Sequence, residues 1–446
     1  MTSNYRFDTR QVHAGQVSDP ETGATSIPIY QSAAFEFPSV EAAQKRFALA
    51  ELGPIYTRLG NPTTQVVEDR LANLDGGVGA LLTASGAAAV YMTIHNLAEA
   101  GDHIVSSPEL YGGTFNQFAH TLPKQGIEVE FVEDPHDLDQ WRAAIRPNTK
   151  AFFFEAIPNP LTKVHDVQAI ADIAHEAGIP VIVDNTIATP YLHRPIEHGA
   201  DFVVYSATKF LQGHGVGIAG AIIDGGTFDF AKQPERFPNY NEPDESYHGL
   251  VYARDLGVGG VFGVNLAFIL KARVQGLRDM GSSISPFNAW LLAQGLETLS
   301  LRMDRHVGSA FAVAKYLEAH PAVSKVHYAG LEGNEFHALA TKYAPLGPGA
   351  VLGFELDAPT PEAARAAGEA FIAGLELHLH VANIGDARSL AIHPASTTHS
   401  QLSPEQLELA GISAGFVRLS PGLEHQDDII EDVEKGIVAA QAALAA

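Results

Sequence analysis

From about residue 66 to residue 224 the chain alternates between short apolar runs and longer amphipathic ones. The runs at 79–84, 103–107, 127–132, 151–155, 181–184, 201–205 and 219–224 predict strands. The intervals 66–74, 85–98, 113–122, 138–145 and 166–177 predict helices, the last closed by Gly178 as a C-cap. Strands alternating with helices build a mostly parallel sheet covered on both faces. Such sheets bind ligands beyond the carboxyl ends of their strands. Ser85, Asp184, Ser206 and Lys209 all fall at those ends.

The run 201–205 leads into Ser206-Ala207-Thr208-Lys209 and then a glycine-rich stretch at 213–217. A lysine at the end of a buried strand is partly desolvated, which lowers its pKa and favours the neutral amine that attacks a carbonyl. Read as strand residues, Ser206 and Thr208 project to one side and can donate to one phosphate. Taken alone, a lysine at a strand end is more often a solvated edge charge. Upstream, however, the 181–184 strand ends in Asp184, an acid placed to pair with a pyridinium nitrogen. The two strand ends together point to pyridoxal phosphate (PLP). Ser85-Gly86 at a helix start is an N-cap, a phosphate seat, or both. Tyr56 with Arg58 is either a phosphate grip or a surface pair. Tyr111, beside Gly112 and Gly113, reads as a ring that stacks on a flat cofactor or packs in the core. Asn159, between two prolines, is a site residue or a turn residue. Arg418, inside an apolar run, needs an anion, either an internal acid or a substrate carboxylate.

Residues 1–65 read as an arm with one amphipathic helix near 40–50, too irregular to bury itself and suited to wrapping a second copy. Residues 66–279 form the expected cofactor-binding large domain, with a long functional loop at 225–262. Residues 280–446 form a smaller α/β domain, entered through helices that continue to 317. Its strands are expected at 351–357, 390–393 and 417–419, and its helices at 361–374 and 427–444.

The 28 basic and 52 acidic residues give a net charge of −24, unsuited to a nucleic-acid partner. No cysteine is present, so disulfides, thiolate metal sites and a cysteine nucleophile are excluded, and any sulfur chemistry must use substrate sulfur. The start, Met1-Thr2-Ser3-Asn4-Tyr5-Arg6, lacks the pattern of a signal peptide, and no apolar run reaches the ~18 residues of a membrane helix. A cytoplasmic enzyme is the expectation. Gly215-Val216-Gly217-Ile218-Ala219-Gly220 matches a dinucleotide motif but precedes a strand rather than a helix, so that reading is rejected. The histidines lack zinc-protease spacing, no metal is expected, and His393 and His399 read as structural or solvated.

These pieces, with Thr9 to Gly15 and Val417-Arg418-Leu419-Ser420, resemble the PLP-dependent cysteine/methionine metabolism (transsulfuration) enzymes over nearly the whole chain. The resemblance implies the PLP-dependent transferase fold type I, like aspartate aminotransferase. Its large mostly parallel sheet domain carries a smaller C-terminal α/β domain. It implies Lys209 as the Schiff-base lysine, Asp184 on the pyridinium, and Tyr111 stacked on the ring as a second acid/base. Gly86, the Ala87 backbone, Ser206 and Thr208 would hold the phosphate, with Tyr56 and Arg58 reaching in from a neighbouring subunit. Arg418 would bind the substrate α-carboxylate, and Asn159 and Ser389 would assist cofactor and carboxylate. The subgroup it resembles is that of the O-acetylhomoserine sulfhydrylases. The basis is Asn383 to Leu390 leading into His393-Pro394-Ala395-Ser396-Thr397-Thr398-His399, the Ser246-Tyr247-His248-Gly249 insertion, and length. Ala87 departs from the subgroup's usual Gln, and Pro421 from a common Val. The implied reaction takes O-acetyl-L-homoserine and sulfide to L-homocysteine and acetate in methionine biosynthesis. The implied assembly is a homotetramer of active-site dimers. Cystathionine γ-synthase and γ-lyase activities are the alternatives.

Overall fold

The computed structural model describes residues 4–397 and 412–445. Met1 to Ser3, and Thr398 and His399 of the proposed loop, lie outside the described residues. The larger sheet has seven strands: β1 (Gly79–Thr83), β2 (His103–Ser106), β3 (Glu128–Phe131), β4 (Thr149–Glu155), β5 (Val181–Asp184), β6 (Phe202–Tyr205) and β7 (Gly220–Asp224). Their order is β1-β7-β6-β5-β4-β2-β3, and only β7 runs against its neighbours. No helix intervenes between β6 and β7 in sequence. The centre reads as unbroken apolar sequence because both faces are covered. Phe152 and Phe154 enter one core and Phe153 the other, as the two-residue period of a strand requires.

The first of these cores continues into a second sheet of five strands. These are β8 (Val323–His327), β9 (Leu352–Leu356), β10 (Leu379–His380), β11 (Leu390–Ile392) and β12 (Phe416–Ser420), in the order β10-β11-β12-β9-β8. Helices Pro361–Gly374 and Gln426–Ala445 cover it, and the long helix Leu299–Ala319 packs against both β8 and β9. Strands β8 and β10 were not expected from sequence. The first is a partly exposed edge carrying Ser and Lys, and the second has only two exposed residues.

Two expectations are corrected. The segment 225–262 is not one long loop over the site. It is a set of short helical turns, including Phe230–Lys232, Pro238–Asn241 and Tyr252–Asp255, around a buried aromatic cluster. There the Phe230 and Tyr240 rings stack with centroids 3.7 Å apart. This cluster shares its core with Phe202 and Phe268 on the sheet face, so the aromatic content of the segment serves burial. Strand β6 also stops at Tyr205, so Ser206 and Thr208 are turn residues rather than strand residues. Among the described residues no helix is long and apolar enough to cross a membrane.

Candidate active site

The turn after β6 is where the two parts of the molecule meet. Lys209 N–H donates to Ser206 O (3.1 Å), and Gly213 N–H returns to Lys209 O (2.8 Å). Arg302, from the long helix, pins the following residues by donating to the carbonyls of Phe210 (2.7 Å) and Leu211 (3.1 Å). Gly213 has φ +75°, and a Cβ there would lie 2.0 Å from that guanidinium. Held in this way, Lys209 Nζ donates to Asn383 Oδ1 at 2.5 Å. Burial, and secondarily the nearby Arg418, lower the lysine pKa to about 8.

Arg418 lies in the middle of β12 and is 8% exposed. Its guanidinium donates to Asn159 Oδ1 (3.2 Å) and Asn383 O (2.9 Å). Both acceptors are neutral. No acid of the described residues forms an ion pair with it, so the internal-ion-pair alternative has no support in the structure. Burial lowers its pKa to about 10, against an opposing effect of Tyr111, which leaves a guanidinium charged at neutral pH. The result is a buried cation whose fork lacks an anion, the arrangement a carboxylate ligand completes.

Two acids lie side by side at the strand ends. Asp184 closes β5 and is in register with Glu155, which closes β4. Asp184 accepts the Thr186 N–H at 2.9 Å, and the Thr186 hydroxyl accepts the Ser206 N–H at 2.8 Å, tying the acid to the lysine turn. Glu155 accepts the N–H of Tyr111 (2.5 Å) and of Asn159 (3.4 Å). Burial raises both carboxyls, and Glu155 is raised well above the ordinary range because it also faces Asp184. Tyr111 caps the helix Gly112–Asn116 and is 56% exposed. A Cβ at Gly113 would lie 2.4 Å from its ring, so glycine there is what lets the ring fold over the helix start.

The candidate phosphate seat is also assembled. Ser85 caps the helix Gly86–Leu97, its Oγ accepting the Ala88 N–H at 3.1 Å. The Gly86 and Ala87 N–H groups are thus the free donors of the first turn. A Cβ at Gly86 would stand 2.6 Å from Ser206 Cβ, so the cradle closes only around a glycine. Thr208 is nearby in sequence, but its Oγ1 exchanges hydrogen bonds with Ala219 O (3.2 Å) and Ala219 N (3.0 Å). It therefore holds the turn to the start of β7 and has an acceptor position, not a free proton, to offer an anion.

Not every predicted residue joins this cluster. Ser389 is buried and spent: its hydroxyl donates to Glu424 (2.9 Å) and accepts from Gly422 N (2.9 Å). In the β11–β12 register Ile392, not Ser389, is opposite Arg418, so Ser389 lies three residues, about 10 Å, further along. Asn383 takes the place expected of it. Tyr56 and Arg58 share a surface cleft with Gln31, Ser283 and Pro286. The Arg58 guanidinium stacks 5.5 Å from the Tyr56 ring and donates to Arg278 O. Among the described residues no hydrogen bond or ion pair joins either to Lys209, Asp184 or Arg418. Glu155, Asn383 and Arg302 were missed. Glu155 had a signal, an apolar run ending in an acid just as the Asp184 strand does.

This donor set fits PLP: a glycine-lined seat with free N–H groups, an acid at a strand end, and an amine of lowered pKa. The comparisons agree. Residues 8–438 match the family described as Cys/Met metabolism PLP-dependent enzyme. The O-acetyl-L-homoserine sulfhydrylase of Leptospira meyeri is 50% identical over 98% of both chains. That of Corynebacterium glutamicum is 51% identical over 97% of both. A crystal structure assigned as an O-acetylhomoserine (thiol)-lyase of Campylobacter jejuni superposes with a TM-score of 0.89 at 41% identity, covering 97% of this chain and 100% of that one. It carries a pyridoxyl-lysine phosphate group at one lysine. With fold, site and near full-length similarity in agreement, the chain belongs to the PLP-dependent enzymes of cysteine and methionine metabolism.

Proposed function

We propose that the chain catalyses a γ-replacement, converting O-acetyl-L-homoserine and hydrosulfide to L-homocysteine and acetate. The carbon–oxygen bond at Cγ breaks, a carbon–sulfur bond forms there, and acetate leaves. The observation that carries the reading is Arg418, a buried guanidinium with only neutral partners beside Lys209. It selects an α-amino acid, and the names of the relatives indicate which one.

When bound, PLP supplies the electron sink that makes protons next to the amino-acid carbon acidic. The protein's own groups do the rest. Arg418 would grip the α-carboxylate with its planar guanidinium fork, which Asn159 and Asn383 hold in orientation. Lys209 Nζ moves the proton at Cα, a task suited to an amine with a pKa near neutrality. Tyr111 would stack on the ring of bound PLP and serve as a second proton carrier. Asp184 would pair with the ring nitrogen and keep it protonated. Gly86, Ala87 and Ser206 would seat the phosphate, Thr208 fixing the turn that carries Ser206, and Tyr56 and Arg58 would complete the seat from a second copy. The exposed apolar side chains of the arm, such as Val17, Val40 and Phe47, fit coverage by that copy. A homotetramer of such dimers, in the cytoplasm, is the proposed working form.

The test is product analysis by mass after incubating the PLP-loaded protein with O-acetyl-L-homoserine, once with sulfide and once with cysteine. Homocysteine from the sulfide reaction is expected. Cystathionine as the only product would move the assignment to a γ-synthase, and 2-oxobutanoate without a nucleophile would move it to a γ-lyase.

A further inference from the structure

Beyond the phosphate seat and the amino-acid site, one cluster of ligating side chains has no role in the reaction above. It sits where β2, β3 and β4 end and combines Glu109, His136 and His165. Glu109 Oε2 lies 3.4 Å from His165 Nε2 and 3.6 Å from His136 Nε2. All three donor atoms fall within 4.8 Å of one another. Metal bonds of ~2.0–2.1 Å set a donor–donor edge of about 3.3–3.4 Å in a tetrahedral site. The two edges to Glu109 are close to that.

The hydrogen bonds explain why a cation is wanted. His165 Nδ1 faces the Glu155 carbonyl at 2.6 Å. A carbonyl only accepts, so the proton is on Nδ1 and Nε2 presents a lone pair. That lone pair points at a carboxylate oxygen. Its one hydrogen bond among the described residues is a long one, from the Ser107 hydroxyl at 3.4 Å. Two acceptors facing each other in a buried place repel unless a proton or a metal lies between them. Glu109 Oε2 and His136 Nε2 are both buried atoms without a hydrogen-bond partner. Lys163 does not fill the gap, because it pairs with the other carboxylate oxygen, Glu109 Oε1, at 2.5 Å. An imidazole that donates from one nitrogen to a backbone carbonyl while offering the other is the usual outer arrangement of a histidine metal ligand. His136 is partly exposed, which gives an ion a way in.

We infer that Glu109, His136 and His165 form a site for one divalent first-row transition metal, with water completing the shell. Two imidazoles and a carboxylate without thiolate suit zinc and its neighbours rather than calcium or magnesium. The metal would clamp the loops after β2, β3 and β4. Through the His165–Glu155 contact it would also steady the carboxyl that holds the Tyr111 and Asn159 N–H groups.

Untagged, PLP-loaded protein, treated with chelator and dialysed, is the material for the test. Equilibrium dialysis against Zn2+ is expected to show one ion per chain. Co2+ is expected to give visible bands of a tetrahedral ion that Zn2+ displaces. In His136→Gln, a substitution at a partly exposed position, zinc affinity should fall at least about tenfold. The zinc-induced rise in melting temperature should vanish with it. Absence of saturable binding in the parent protein, or binding in His136→Gln and Glu109→Gln as tight as in the parent, would overturn the inference. Neither variant touches the amino-acid site, so the outcome is independent of which sulfur nucleophile the enzyme uses.

Discussion

Replacing Arg418 by Met separates a binding role from a structural one. In the folded protein the guanidinium makes two hydrogen bonds, at 3.2 Å and 2.9 Å, to neutral oxygens. Bonds from a charged donor contribute roughly 1.5–3 kcal/mol each. Against them stands the desolvation of a buried charge, several kcal/mol per ion. The two nearly cancel, so Arg418→Met should change unfolding free energy by no more than about 2 kcal/mol. Breaking a buried ion pair would instead cost ~3–5 kcal/mol. Function should respond in the opposite proportion. A substrate carboxylate that loses its desolvated partner forfeits about 2–5 kcal/mol. That is roughly a 30-fold to several-thousand-fold loss in kcat/KM for O-acetyl-L-homoserine. Arg418→Lys should recover only part of it, since an ammonium lacks the planar fork. Urea unfolding and steady-state kinetics at saturating sulfide read the two quantities. Destabilisation above 3 kcal/mol with kcat/KM intact would refute the reasoning and make Arg418 a structural cation.

Three further outcomes follow from the same geometry. In cofactor-stripped protein, stopped-flow capture of PLP should accelerate as pH rises through about 8, where half of the Lys209 amine is neutral, and level off above it. In Arg418→Met that limb should move to higher pH, since a cation lowering the lysine pKa is gone. A mixed oligomer of Lys209→Ala and Arg58→Ala chains should regain about a quarter of wild-type activity, because half the dimers are mixed and each carries one intact site; no recovery would place Arg58 with its own chain's lysine. Asp432 accepts the N–H groups of Glu376 (2.7 Å), Leu377 (2.9 Å) and His378 (2.9 Å) and the His378 imidazole (2.7 Å). Burial works to raise its pKa, but these donors outweigh it and hold the carboxylate well below the usual range. The stability it contributes is therefore complete above ~4 and lost as pH falls further. Asp432→Ala should cost about 2–4 kcal/mol at pH 7 and flatten that acid limb, as measured by urea titration at several pH values.

The large sheet was legible because a parallel strand buried on both faces writes itself as continuous apolar sequence, as Phe152-Phe153-Phe154 does. Asp184 and Lys209 were legible for a related reason, since an ionisable group ending such a run is exceptional. The turn at Ser206–Lys209 was misread as strand because hydroxyl residues suit either state, and only the contacts of Thr208 with Ala219 decide between them. Ser389 is a site residue only through the family resemblance. Its register, which puts it beyond Ser420 rather than opposite Arg418, depends on strand pairing that composition does not encode. The His136–Glu109–His165 cluster was invisible for the same kind of reason, its members coming from three separate loops.

Asn383 shows why the least legible residue matters most. Its side chain meets Lys209 and its carbonyl meets Arg418, across 174 and 35 positions of sequence. An amide is the chemistry the site needs there. A carboxylate at this position would pair with the lysine, raise its pKa and withhold the neutral amine. It would also compete with the substrate for the guanidinium. A purely apolar side chain would leave Lys209 Nζ without its acceptor in a partly buried place. A neutral acceptor orients both cations while neutralising neither, so the negative charge that completes the site has to arrive with the ligands.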